Sequence, residues 1–143
     1  ATRAAAKLAD GIASIDSNKL PVHGDFYDKQ VVINGTSAAL IDMDSVRLDD
    51  PLVDLGNYAA HMERLCLSGG QSPGETRQHL LTLMTSYESA GGAVSESRLR
   101  HFLAVGLFSL LNQPFRDFEE HWPETMDRIL CRIEGLVEGE KAI

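Results

Sequence analysis

The sequence has no long apolar run, few cysteines and few cations, and each scarcity excludes something. No stretch approaches the ~20 consecutive apolar residues that cross a bilayer, so no membrane partner is expected. No basic stretch leads into an apolar one in the manner of a secretory signal, and a cytoplasmic location is expected. The two cysteines, Cys66 and Cys131, lie far apart in helix-like stretches and lack Cys-x-x-Cys spacing. They read as buried, reduced thiols. Lys and Arg number 13 against 21 Asp and Glu, a net charge of −8. An acidic surface repels phosphate backbones, which argues against a nucleic-acid partner. His61, His79, His101 and His121 stand singly, without His-Glu-x-x-His spacing, and read as solvated or packed side chains. No internal repeat or low-complexity segment occurs.

What remains is an ordinary globular composition. The 143 residues are 43% apolar and 24% charged, the size of one domain that buries roughly two thirds of its unfolded surface. Ala5, Leu8, Ile12 and Ile15 recur at helical spacing, and Gly11 is expected to fray that helix. Asp16 to Asn18 reads as a loop. The period then changes. Val31 to Ile33 and Ala38 to Ile41 are short apolar runs around Asn34-Gly35, a strong hairpin signal. They are the only strands expected. Asp50-Pro51 opens a helix with Leu52, Leu55, Tyr58, Met62 and Leu65 on one face. Ser72-Pro73-Gly74-Glu75 is a capping box opening the next, with Leu80, Leu83, Met84 and Tyr87 inward and Gly91-Gly92 ending it. Ser95 caps a helix apolar nearly all round from Leu99 to Leu111, which should be central. A last helix carries Trp122, Met126, Ile129, Ile133 and Val137, with Pro123 in its first turn. Its acidic residues, from Glu119 and Glu120 through Glu138 and Glu140, read as a solvated face, with a subsite for a cationic substrate as the other reading.

The chemistry concentrates where the pattern is least regular, between Pro21 and Pro51. The segment reads His23-Gly24-Asp25-Phe26-Tyr27-Asp28-Lys29-Gln30, and after the hairpin comes Ile41-Asp42-Met43-Asp44. A hairpin brings its ends together, so Asp25, Gln30 and Asp42 can converge. A carboxylate plus an amide oxygen is hard-oxygen ligation suited to Mg²⁺. A further carboxylate beside such a metal can accept a proton from an attacking hydroxyl. Lys29 reads as a solvated loop cation.

Three motifs in order, His23-Gly24-Asp25, Ile41-Asp42-Met43-Asp44 and Asp50-Pro51-Leu52-Val53-Asp54-Leu55, resemble those of the aminoglycoside phosphotransferase and choline kinase group. The resemblance covers residues 10 to 65. It implies an α+β, mostly α fold, a kinase-like C-terminal helical lobe with a small β-hairpin. It implies transfer of the γ-phosphoryl group of ATP, with Mg²⁺, to a hydroxyl of a small molecule. Residue by residue, Asp25 corresponds to the catalytic base and Asp42 to the Asp that holds the metal. Gln30 stands at the place of a metal-binding Asn, a departure that keeps the amide oxygen but adds a methylene. His23 braces the loop, Asp54 ties the following helix to it, and Asp44 either touches a second metal or faces solvent. Asp42-Met43-Asp44 also resembles the nucleophile motif of haloacid-dehalogenase-type phosphatases, but those need a doubly wound parallel sheet, and everything after Pro51 reads helical.

The phosphate-covering loop and strand Lys of a complete kinase have no counterpart here. Gly69 to Gly74 joins two helices, and the four lysines lie outside apolar strands. The expectation is a helical lobe without its N-terminal lobe, either a fragment of a longer enzyme or a natural remnant, nearly inactive alone. The hairpin face towards the missing lobe should expose apolar surface and invite a homodimer. A non-catalytic binding or regulatory module of kinase-like fold is the alternative.

Overall fold

A computed structural model describes residues 2–13 and 18–143. Its architecture is α+β and mostly helical. Helix α1 (Thr2–Ala13) is followed by strand β1 (Leu20–Val22), the hairpin strands β2 (Val31–Asn34) and β3 (Ser37–Leu40), and β4 (Arg47–Asp49). Helices α2 (Leu52–Leu67), α3 (Pro73–Ser89), α4 (Glu96–Leu110), the short α5 (Gln113–Arg116) and α6 (Trp122–Glu138) complete the chain. Ile15 and the Asp16–Ser17 part of the expected loop lie outside the described residues, as does the Ile12 side chain.

The core is a helical cluster, with α2 against α4 as its most extensive contact. Leu52, Leu103, Leu107, Ile129 and Ile133 are completely buried in it. The α2–α4 crossing is close because two glycines permit it. A Cβ on Gly56 would collide with Phe102, and one on Gly106 with Ala60. Helix α4 is central as expected, although Phe108 points outward. The Ser72–Glu75 capping box is formed in both directions at the start of α3.

Several expectations are corrected. Helix α1 extends past Gly11 to Ala13, and the missing side chain of Gly11 lets the His101 ring sit where a Cβ would stand. The hairpin turn is Gly35–Thr36, one residue later than expected, since Asn34 pairs with Ser37. Gly35 takes φ +61°, the left-handed region that a tight hairpin requires of its first central residue. Two further strands exist. β1 pairs antiparallel with β4, Val22 opposite Arg47, in a second two-stranded ribbon. Both ribbons being antiparallel, the doubly wound sheet of the phosphatase alternative is absent from the described residues. Ser95 precedes α4 but its hydroxyl faces Ser97 rather than a helix N–H. Cys131 is exposed and Cys66 half-buried, because neither lies on the stripe that faces the core; both are free. The acidic face is only partly solvated, as Glu119 pairs with Arg64 and Glu140 with Arg132.

No helix among the described residues is long and apolar enough to cross a membrane. The ribbons and the segment that joins them expose apolar side chains, Val32, Ile33, Leu40, Ile41, Met43 and Leu48 among them.

Candidate functional site

The site is built on a loop, residues 23–30, laid along one stripe of α2. Helical positions 54, 57, 58 and 61 share a face, since residues three, four and seven apart are neighbours on a helix. Each meets the loop in order. The Asp54 carboxylate accepts the His23 N–H at 2.7 Å with one oxygen and the Gly24 N–H at 2.8 Å with the other. The Asn57 amide donates to Asp25 Oδ1 at 3.3 Å and to the Phe26 carbonyl at 3.1 Å. The Tyr58 ring stacks on Phe26, centroids 5.6 Å apart, and His61 stacks on Tyr27 at 4.2 Å.

The loop begins with Gly24 at φ +84°, where a Cβ would run into the Ser45 carbonyl and the Arg47 guanidinium. Glycine here permits both the left-handed turn and the close passage of the β4 approach. Buried His23 points its Nε2 at the Ile41 carbonyl, 2.8 Å away, tying the loop to the far end of the hairpin. That contact assigns the ring proton to Nε2 and leaves Nδ1 a buried acceptor with no hydrogen-bond partner among the described residues.

At its other end the loop closes with a 3₁₀ turn over Asp28–Gln30, and the Ile41 N–H donates to the Gln30 carbonyl at 3.0 Å. Gln30 is buried, and its Nε2 donates to Asp42 Oδ2 at 3.3 Å. Asp42 adopts left-handed φ 60°, ψ 58°, an uncommon conformation for a residue with a Cβ, in the connection from β3 to a 3₁₀ turn over Met43–Ser45. Such outliers cluster at functional sites. Asp44 lies exposed in that turn.

The structure thus joins Gln30 to Asp42 across the hairpin, and His23 to Asp54 and Ile41. Asp25, exposed, is bonded not to the Gln30–Asp42 pair but to Asn57. Among the described residues no group of three or more His, Cys, Asp and Glu side chains is placed to hold a metal ion. A cation here would depend on Asp42 and the Gln30 amide together with ligands from outside the protein. That donor set fits Mg²⁺, which keeps most of its sphere for water and phosphate oxygens. Gln30 has one amide oxygen to offer while its nitrogen holds Asp42.

Asn57 is the loop-holding residue that sequence reasoning missed. A single Asn within a helix carries no signal of its own; its clue is the spacing of three from Asp54. His61 is the other. Burial pushes its imidazole below the usual value, while the nearby carboxylates of Asp25 and Asp28 pull the other way. Beside the loop, a cleft of about 680 Å³ runs from His23 and Phe26 past Met43 to Leu83 and Tyr87 of α3, lined mainly by apolar side chains.

No protein-family model, curated protein or solved structure matches this chain.

Proposed function

We propose that this chain is the kinase-like helical lobe of an ATP- and Mg²⁺-dependent phosphotransferase whose acceptor is a hydroxyl of a small molecule. The observation that carries the proposal is the Gln30–Asp42 contact, which unites an amide and a carboxylate at the two ends of a hairpin while the loop between them and β1 presents a separate, exposed carboxylate. In this reading the Asp42 carboxylate and the Gln30 amide oxygen would hold Mg²⁺, which would supply positive charge to offset that of the phosphate oxygens. Asp25 accepts the proton of the acceptor hydroxyl as its oxygen bonds to the γ-phosphorus. The bond from that phosphorus to the bridging oxygen breaks, ADP leaves, and the products are a phosphate ester and a proton. His23 and Asp54 act on the loop and not on the substrate. Asp44, exposed beside Asp42, faces a second metal or solvent. Catalysis of this type is positioning plus charge stabilisation, which explains why so much of the hydrogen bonding here is spent on fixing one loop.

The exposed apolar residues of the two ribbons suit a face that packs against another lobe, which would complete an ATP site in the cytoplasm, or against a second copy. The same face favours the alternative of a non-catalytic binding module, which needs a partner but no transfer chemistry. Two measurements separate them. Calorimetry of the chain with Mg·ATP should register weak binding that Asp42→Ala abolishes. In a longer form carrying the second lobe, Asp25→Asn should remove most phosphoryl transfer while Mg·ATP still binds. Transfer that survives Asp25→Asn would end the assignment of Asp25 as the base, and Mg·ATP binding indifferent to Asp42→Ala would end the metal role of Asp42.

A further inference from the structure

Asp25 is an exposed carboxylate on a loop, and an exposed Asp ordinarily samples several rotamers. The acceptor proton can be taken efficiently only from a fixed direction, so something must hold the carboxylate. Asp54 cannot, because both of its oxygens are occupied by the backbone N–H groups of His23 and Gly24. Of the residues around the loop, Asn57 alone has a side-chain hydrogen bond to Asp25 among the described residues.

The orientation of the Asn57 amide is settled by its neighbours. It faces a carboxylate oxygen and a carbonyl oxygen, two acceptors, so the nitrogen must point at both and one N–H goes to each. The Phe26 carbonyl is a backbone atom and fixes the amide plane. The second N–H is then aimed at Asp25 Oδ1, and Oδ2 is left for another donor. Asn57 sits three residues after Asp54, so the same helix turn that grips the loop backbone also grips the carboxylate.

We infer that Asn57 is a positioning residue that fixes the Asp25 carboxylate and turns Oδ2 towards the acceptor hydroxyl. The catalytic part of this inference rests on Asp25 being the base; the geometric part does not. Three replacements at this position fail for different reasons. Asp places a second negative charge against Asp25, Leu has no donor, and Ala leaves Asp25 free to rotate.

The test is carried out by NMR on the 143-residue chain, with Asn57→Ala and Asn57→Leu compared with the parent. Three-bond couplings from the Asp25 carboxyl carbon to its backbone nitrogen and carbonyl report the χ1 rotamer. In the parent they should show one dominant rotamer. In both variants they should collapse to averaged values, while the His23 and Gly24 amide resonances keep their positions because Asp54 still holds them. A longer, active form should show kcat for phosphoryl transfer about tenfold lower in Asn57→Ala, with KM for Mg·ATP unchanged. Asp25 keeping its rotamer without Asn57 would overturn the inference. So would wholesale displacement of the His23 and Gly24 resonances, which would make Asn57 a strut for the loop through the Phe26 carbonyl. Undiminished transfer in Asp25→Asn would instead overturn the base reading, in a measurement that does not involve Asn57.

Discussion

Replacing Asp54 with Ala is the sharpest test of how the loop is held. The carboxylate accepts two N–H groups at 2.7 and 2.8 Å, short enough for charge-assisted hydrogen bonds. Bonds of this kind contribute about 1.5–3 kcal/mol each. Asp54 is half-buried, so water can reach part of the space left behind and offset some of the loss. The His23 N–H belongs to a buried residue and is the harder of the two to rehydrate. The expected cost is about 2–4 kcal/mol, a large share of the ~5–15 kcal/mol that stabilises a domain. If the loss is confined to the loop, amide exchange at His23 and Gly24 accelerates by roughly 30- to 900-fold, at 1.36 kcal/mol per decade. Amides of α4, such as that of Leu103, stay protected. Asp54→Asn should do nearly as badly. It keeps one acceptor but turns an NH₂ group towards an N–H, pitting donor against donor. Urea unfolding gives the global cost and hydrogen exchange the local one. A cost below about 0.5 kcal/mol, with exchange at His23 and Gly24 unchanged, would refute the claim that this carboxylate organises the site.

Gly24→Ala combines a positive φ with a collision against the Ser45 carbonyl and Arg47. It should destabilise by about 2–4 kcal/mol in urea titration, from the left-handed penalty plus overpacking. Arg98→Met should cost about 3 kcal/mol, because Asp50, only 2% exposed, loses the guanidinium 2.8 Å from its Oδ2 and remains as a buried charge. A thermal melt showing no loss would mean that the Asp50 carboxylate finds another donor. For His61 the sign follows from its lowered folded value. The unfolded chain takes up the proton first as pH falls through about 6.5, so stability is complete above that pH and declines below it until the folded imidazole also titrates. His101, lowered by burial and by Arg100, acts in the same direction. Melting temperature should therefore drop between pH 7 and 5.5, and His61→Phe should flatten part of the drop. An unaltered slope in that variant would contradict the assignment.

What could be read from the sequence was local. The Ser72–Glu75 box is legible because its partners are three residues apart and each residue type dictates its role. The hairpin is legible from two apolar runs, but its turn is misplaced by one residue because pairing of Asn34 with Ser37 is decided by the register of the whole ribbon. The ribbon of β1 and β4 is invisible for the opposite reason. Each strand has three residues, one of them is Pro21, and their partners are more than twenty residues apart. Gly11 reads as a helix weakness until His101 is seen to occupy the space. Within the site, the acids and Gln30 stand out by type and spacing. Asn57 does not, because its role exists only once the loop lies along α2.

One helix serves two masters in this molecule. The residues of α2 at 52, 55, 59 and 62 are sealed into the bundle, while those at 54, 57, 58 and 61 read the loop. The crossing with α4 is tight enough that Gly56 and Gly106 cannot take on a methyl group without shifting it. A tilt of α2 would therefore carry with it the side chains that hold the loop. A variant that loosens the interior should therefore disturb the loop at temperatures well short of its melting point.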